Sequence, residues 1–333
     1  MTQIPRPEHP QPQMKREHWK NLNGEWDFSF DFGCSGIDQK WQEGKTDWEK
    51  KILVPFCPES DLSGIGYKDF IPGVWYHRTI TLTGEELKGD LLLHFGAVDY
   101  DARVWINGVE AGRHQGGYVS FTFDITKLVK EGENDITLFA ADDVRSGKQP
   151  KGKQSHFFYS IGCDYTRTTG IWQTVWLEWV PESYIEKVQY YPNLAEATLG
   201  IKAVVKGQGT LEAKAFYGGE PCGSVSAKSE GGTVTMTLPL SRLEKWEPGH
   251  GRLYDLTLTY GEDKVESYFG MREVRLDGEK FLINDKSVFQ RLVLDQGFYP
   301  DGIYTRYRGS TCQGCGTVHG CRLQRRKTPS EGI

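Results

Sequence analysis

The chain has 333 residues, of which 13% are aromatic and 39 are glycine, and its formal net charge is −5. This length suits two or three domains, and the absence of a basic stripe excludes the usual footprint of a nucleic-acid-binding protein. No apolar run of about 18 residues is present, so we expect no membrane partner. The start of the chain lacks the apolar segment of a signal peptide, and its seven cysteines are odd in number; both indicate a cytoplasmic protein.

Strand patterns begin soon after a proline-rich start, residues 1–13, which we expect to be extended. Alternation of Trp26, Phe28 and Phe30 predicts a first strand. Further alternating stretches follow at intervals of about ten residues, a spacing typical of an all-β sandwich or jelly roll. They lie at 51–56, 74–82, 91–95, 101–108, 118–125 and 134–141, with a solvated connection expected over 58–73 and a helical turn over 125–130.

Residues 142–162 lose this periodicity, and a long excursion inside a compact β domain is usually functional or mobile. The polar stretch that follows would deliver Asp164 and Arg167 to a surface beside aromatic rings, ahead of a strand predicted over 171–179. Rings stack on the apolar faces of a sugar, and carboxylate or guanidinium groups bind its hydroxyls, so one interpretation is a sugar site. The alternative is a buried strand after a surface loop that carries an ordinary salt bridge.

A second region of alternating stretches runs from about Tyr184 to Val274, after a break at 181–183. About seven strands in roughly ninety residues, without cysteine pairing, predict an immunoglobulin-like sandwich. The strand pattern ends near Val288.

Several short motifs occur in an order and spacing that resemble glycoside hydrolase family 2, the β-galactosidase and β-glucuronidase family. They are N-L-N-G-E-W (21–26), W-I-N-G (105–108), F-T-F-D-I-T (121–126), G-I-W-Q-T-V (170–175), W-E-P-G (246–249), F-G-M-R-E-V (269–274) and F-L-I-N-D-K (281–286). The resemblance covers residues 5 to about 305. It implies a jelly-roll sugar-binding domain at 1–180, an immunoglobulin-like domain at 184–275, and the truncated start of a (β/α)8 barrel at 276–305.

In that family, the loop before the G-I motif reaches into the active site of the barrel, and its aspartate contacts substrate hydroxyls. The corresponding position here is Asp164, six residues before Gly170, with Arg167 as a second candidate substrate-binding residue. The resemblance implies no cofactor and no metal. It implies a β-glycoside as the ligand of the full-length form, with homo-oligomers allowed.

A retaining glycosidase holds an acid/base glutamate and a nucleophilic glutamate about 5–5.5 Å apart, and in this family both lie on later barrel strands. Glu178 and Glu186 fall in sandwich strands, so no catalytic residue is assigned. We therefore expect the N-terminal part of a β-glycosidase that does not hydrolyse alone. The alternatives are a free-standing carbohydrate-binding module, which needs a finished sugar site within 1–180, and a structural adhesin, which the missing secretion signal disfavours.

The tail, residues 306–333, breaks the family pattern and carries three of the seven cysteines. One interpretation is a zinc knuckle of Cys312, Cys315, His319 and Cys321, although H-x-C crowds the last two ligands. A second interpretation is a frameshift. If the codons of 309–333 are read from their second base, permitted codon choices give a helix and a second barrel strand like those of the family. We therefore expect an aberrant, disordered tail.

Overall fold

The computed structural model describes residues 4–294, 296–306 and 324–325. Within these residues the regular structure consists of β-strands and three short 3₁₀ helices, at Trp41–Glu43, Asp61–Ser63 and Glu85–Leu87. Contacts divide the chain into two compact units. Of the described residues, the first unit contains 4–8, 19–179, 292–294, 296–306 and 324–325, and the second contains 9–18 and 180–291.

The first unit contains twelve strands before the chain enters the second unit. They are β1 (Trp19–Asn21), β2 (Gly24–Phe30), β3 (Lys50–Val54), β4 (Gly73–Leu82), β5 (Asp90–Phe95), β6 (Val98–Asp99), β7 (Asp101–Ile106), β8 (Val109–Gln115), β9 (Phe121–Asp124), β10 (Gly132–Ala141), β11 (Gly170–Ile171) and β12 (Val175–Val180). One sheet has the order β3-β2-β4-β10-β7-β8, a second has the order β1-β12-β5-β9, and β6 pairs with β11.

The two larger sheets enclose one apolar core, which gives the jelly-roll sandwich. Trp26 and Phe28 of β2 contribute to it from the six-stranded sheet, and Leu93 of β5 and Leu177 of β12 contribute from the four-stranded sheet. Alternate residues of a strand point to opposite faces, so the aromatic alternation in β2 places its apolar side chains in this core. At Asn107-Gly108 both residues have positive φ, as a two-residue hairpin turn between β7 and β8 requires.

The strand predicted over 171–179 is interrupted, because residues 172–174 belong to neither β11 nor β12. The side chain of Asn23 replaces the sheet partner at this break. Its Oδ1 accepts a hydrogen bond from the Val175 amide at 3.1 Å, and its Nδ2 donates to Thr174 Oγ1 at 3.2 Å. The prediction of one continuous strand was therefore wrong. The helical turn predicted over 125–130 is a non-helical turn closed by the Leu128 amide and the Ile125 carbonyl.

The second unit is an immunoglobulin-like sandwich followed by a small three-stranded sheet. Its strands are β13 (Tyr184–Asn193), β14 (Thr198–Lys206), β15 (Gly209–Tyr217), β16 (Glu220–Ser229), β17 (Gly232–Pro239), β18 (Tyr254–Tyr260), β19 (Asp263–Phe269), β20 (Val274–Asp277), β21 (Lys280–Ile283) and β22 (Lys286–Ser287). The sheets β13-β14-β17 and β16-β15-β18-β19 enclose a core that includes Ile201, Leu211 and Leu258. The third sheet has the order β20-β21-β22.

Two segments belong to a different unit from their neighbours in the sequence. Residues 9–18 lie with the second unit, and residues 292–306 lie with the first. The domain limits predicted from the sequence stay predictions. Strand β23 (Leu292–Val293) pairs in parallel with β24 (Gln324–Arg325).

The four candidate zinc ligands and most of the tail lie outside the described residues. The disorder that we expected in the tail stays a prediction. In the described part of the chain, no helix has the length and apolar character needed to cross a membrane.

Candidate functional site

The long excursion 142–169 between β10 and β11 is fixed at its base by buried polar side chains. The Thr169 amide donates to Glu59 Oε2 at 3.1 Å, and the Thr169 hydroxyl donates to Asp142 Oδ2 at 3.3 Å. Gln149 Nε2 donates to the other oxygen of Asp142 at 2.6 Å. The first and last residues of the excursion are therefore tied to each other and to Glu59.

Three carboxyl groups, those of Glu59, Asp99 and Asp142, are buried beneath this loop. Burial raises the pKa of Glu59 to about 8 and that of Asp142 to about 7. Burial, together with the nearby Asp142 carboxyl, also raises the pKa of Asp99. Among the described residues, Glu59 Oε1 and Asp99 Oδ1 have no hydrogen-bond partner, which is consistent with protonated acids.

The sequence did not indicate this burial. We expected a solvated connection over 58–73, but Glu59, Ser60 and Ser63 are buried. An acidic residue next to serines carries no local sign of a buried position, because its hydrogen-bond partners lie about a hundred residues later in the chain.

Asp164 lies at the end of a tight turn that begins at Ile161. The amide of each residue donates to the carbonyl of the other, at 3.1 and 3.0 Å, and Gly162 between them has the positive φ that such a turn favours. The Asp164 carboxylate is 3.1 Å from Lys151 Nζ, and its side chain is 25% exposed. The Lys151 ammonium also donates to the Gln154 carbonyl at 2.6 Å, so it joins the carboxylate to the first half of the loop.

Arg167 points into the protein, not onto the surface that the sequence predicted for it. Its side chain is buried, and its guanidinium donates to the backbone carbonyls of Phe157 and Lys68. It also lies over the ring of Phe70, 4.5 Å from the ring centroid. This geometry joins two loops. The substrate-binding role predicted for Arg167 stays a prediction, as does that of Asp164.

Aromatic side chains stand on the same loop as Asp164 and are held there in a defined arrangement. Phe158 and Tyr159 are 65% and 61% exposed. Phe158 contacts Phe70 edge-on, and the Tyr159 carbonyl accepts a hydrogen bond from the Ser155 hydroxyl at 2.8 Å. Exposed rings and a partly exposed carboxylate on one loop are the kinds of apolar and polar group that a sugar contacts.

A carboxylate in this position can accept hydrogen bonds from hydroxyl groups once it is released from, or shared with, Lys151. Glu178 offers no second reacting carboxylate at an open surface, because it is buried with its Oε2 3.3 Å from His94 Nε2. No group of three or more potential metal-ligating side chains occurs among the residues that the structure describes. The Asp164 carboxylate and the exposed rings of the loop can therefore bind a ligand that carries hydroxyl groups.

Comparison with known proteins gives two family matches in sequence order. The sugar binding domain of glycosyl hydrolases family 2 matches residues 19–181, and the glycosyl hydrolases family 2 domain that follows it matches residues 183–272.

Similar curated proteins include the β-glucuronidase of Felis catus, which is 27% identical over 326 residues, and that of Sus scrofa, which is 28% identical over 325 residues. Each alignment covers 84% of this chain but 48% of the relative. The chain thus spans about half the length of the curated relatives that it matches.

Similar solved structures include a β-glucuronidase from Ruminococcus gnavus in complex with D-glucaro-1,5-lactone. Its TM-score is 0.79 and its sequence identity is 19%. The alignment covers 95% of this chain and 57% of the chain of the solved structure. A β-glucuronidase from an uncultured Clostridium sp. has a TM-score of 0.76 and 22% identity, and it covers 92% of this chain and 54% of its own. At this level of identity, the similarity shows the shared fold of the two sandwiches.

Proposed function

Because the chain belongs to glycosyl hydrolases family 2, as its two consecutive domain matches show, we propose that it is the N-terminal part of a β-glucuronidase. The observation that carries this proposal is the alignment of curated β-glucuronidases over 84% of the chain, across both sandwiches. The activity belongs to the whole protein, whose length is about twice that of the aligned part.

In this proposal the first unit supplies a contact to the substrate, and the catalytic barrel supplies the chemistry. Asp164 accepts hydrogen bonds from sugar hydroxyls, which orients the glycoside relative to the two barrel glutamates that a retaining mechanism needs. Hydroxyl contacts of this kind do not distinguish a glucuronide from a galactoside, because both sugars carry ring hydroxyls. The choice of a glucuronide therefore rests on the relatives.

The test uses an extended chain in which the reading frame after residue 305 is restored and continued through the barrel. We expect this protein to release nitrophenol from 4-nitrophenyl β-D-glucuronide with a kcat/KM at least tenfold above that for the β-D-galactoside. A preference for the galactoside would overturn the assignment of the substrate. The 333-residue chain, assayed in parallel, is expected to show no turnover, since the barrel carboxylates normally perform the proton transfer and the nucleophilic attack.

The same proposal includes a frameshifted tail and a cytoplasmic location. The support for the frameshift is that the alternative reading of 309–333 resembles the family while the given reading does not. Resequencing the coding DNA around codons 300–310 tests it, and an unchanged frame would contradict it.

A free-standing binding module differs in its expected behaviour, because the 333-residue chain would then bind glucuronides by itself in calorimetry.

A further inference from the structure

Tyr165, the residue after Asp164, has a side chain that contacts a distant part of the sequence. Its ring stacks on Phe298, with centroids 4.3 Å apart and planes at 17°. Its hydroxyl donates to Gln296 Oε1 at 3.0 Å, across 131 positions in the chain. Its backbone is held as well, because the Tyr165 amide donates to the Lys153 carbonyl at 2.7 Å and its carbonyl accepts from the Ser155 amide at 2.7 Å.

The segment that Tyr165 contacts, residues 296–305, is itself fixed on the first unit. The Asp301 carbonyl accepts a hydrogen bond from the Ser60 hydroxyl at 2.6 Å. Thr305 Oγ1 lies within hydrogen-bond distance of the Pro55 and Trp172 carbonyls. Ile303 is buried and belongs to the same small apolar cluster as Trp172. Segment 296–305 is therefore held in place on the first unit, beside the loop.

Among the described residues, the hydrogen bonds and the ion pair of Asp164 itself are made to nearby parts of the chain. The turn to Ile161 and the ion pair with Lys151 both lie within the excursion, so neither joins Asp164 directly to another part of the chain. Tyr165 is adjacent in the chain, and a shift of its ring would move the Asp164 backbone. A partly exposed ion pair fixes a carboxylate weakly, because solvent screens the attraction and two flexible side chains must be ordered to form it.

We propose that Tyr165 is a positioning residue, which fixes the Asp164 turn against segment 296–305. This inference rests on the proposed function. In that function, segment 296–305 leads from the sandwiches into the catalytic domain, and it also fixes the position of the carboxylate that contacts substrate. The site loop is then assembled from two parts of the sequence, the excursion and a segment that follows the second sandwich.

The first test is amide hydrogen exchange of the 333-residue chain. Tyr165→Ala and Phe298→Ala should each raise the exchange rate of residues 161–165 at least tenfold, while the β4 and β10 amides stay protected. Tyr165→Phe keeps the stacking and loses the hydroxyl, so it should give a smaller increase. The matched control is Tyr159→Ala, which removes an exposed ring from the same loop and should leave residues 161–165 unchanged. Unchanged exchange in both Tyr165→Ala and Phe298→Ala would overturn the proposal.

The second test separates positioning from simple stabilisation in the extended, in-frame enzyme. Tyr165→Ala should raise KM about fivefold or more, and Tyr165→Phe should recover most of the loss. If Tyr165 acts through Asp164, then Tyr165→Ala should have no further effect on KM in an Asp164→Ala background. Equal effects in both backgrounds would show a merely structural role and overturn the proposal. An extended enzyme inactive on all β-glycosides would refute the proposed function, and the exchange test would still decide whether Tyr165 fixes Asp164.

Discussion

The guanidinium of Arg16 binds the carboxylate of Asp263, 247 residues later in the chain, in a two-point contact inside the second unit. Arg16 Nε is 2.8 Å from one carboxylate oxygen, and Nη2 is 2.9 Å from the other. Both residues are buried, and the Ile185 backbone completes the group: its carbonyl accepts from Arg16 at 2.6 Å, and its amide donates to Asp263 at 2.8 Å. The segment before the first sandwich is thereby anchored to the second.

Replacement of Arg16 by methionine should destabilise the second unit by about 3–5 kcal/mol, because Asp263 would be left as a buried charge without its cation. Amide exchange of β18 and β19 measures the loss. The matched control is Lys15→Met. Its ion pair with Glu266, at 3.2 Å, is largely exposed, so the change should be about 0–1 kcal/mol. Equal losses for the two variants would contradict the role assigned to Arg16.

The raised pKa of Glu59 predicts how the stability of the first unit depends on pH. The pKa of its carboxyl is about 8 in the folded protein, against an ordinary value of 4.5. Between these pH values the folded state keeps a proton that the unfolded state has released. The contribution of Glu59 to the free energy of unfolding is therefore full below pH 4.5 and is lost as pH rises towards 8.

The measurement is urea unfolding at pH 5 and pH 8.5, followed by tryptophan fluorescence, which mainly reports the first unit because Trp246 is the only tryptophan beyond it. Glu59→Gln resembles the protonated acid and should reduce the drop in stability between the two pH values. Glu25→Gln, at a side chain that is 68% exposed, should leave the drop as it is. A Glu59→Gln protein with an undiminished drop would refute the burial argument.

Arg167 should matter for the order of the loops whatever its role toward substrate. Arg167→Met removes two hydrogen bonds to backbone carbonyls that lie in different loops, and we expect a loss of about 1–3 kcal/mol from the first unit. Arg145→Met is the matched control, since Arg145 is exposed and also lies over Phe70, at 4.1 Å. Its loss should stay below about 1 kcal/mol. The reading is again tryptophan fluorescence in urea, and a larger loss for Arg145→Met would contradict the prediction.

Asp164→Ala should weaken substrate handling in the extended enzyme and leave the first unit folded. The side chain is a quarter exposed and makes its described contact with Lys151, so its removal costs little packing. We expect KM for the nitrophenyl glucuronide to rise at least tenfold, because the loss of one charged hydrogen bond costs about 1.5–3 kcal/mol. Lys151→Ala is informative beside it, because freeing the carboxylate should not raise KM as much. An unchanged KM in Asp164→Ala would remove it from the site.

Local patterns in the sequence predicted the two β-sandwiches well, because alternation of buried and exposed residues is a property of each strand by itself. Trp26 and Phe28 show this in β2. The interruption of the strand at 172–174 could not be predicted from the local sequence. It depends on the side chain of Asn23, which is distant in the sequence and takes the place of a sheet partner. The same holds for Glu59, whose burial depends on Thr169, and for Tyr165, whose partners belong to segment 296–305. The substrate-binding role of Asp164 was predicted from the family motif and stays a prediction, whereas the inward direction of Arg167 follows only from the folded loop.

The Arg16–Asp263 pair has a consequence for the way the second sandwich can be inherited. A gene rearrangement that copied only residues 183–272, the stretch matched by the family domain, would carry Asp263 without Arg16. The recipient protein would then receive a sandwich with an uncompensated interior carboxylate, a defect of about 3–5 kcal/mol against a typical domain stability of about 5–15 kcal/mol. Stable transfer therefore requires that the ten residues 9–18 travel with it, although the whole first sandwich separates them in the gene. The structural unit is therefore residues 9–18 together with residues 180–291, and not the contiguous stretch 183–272 alone.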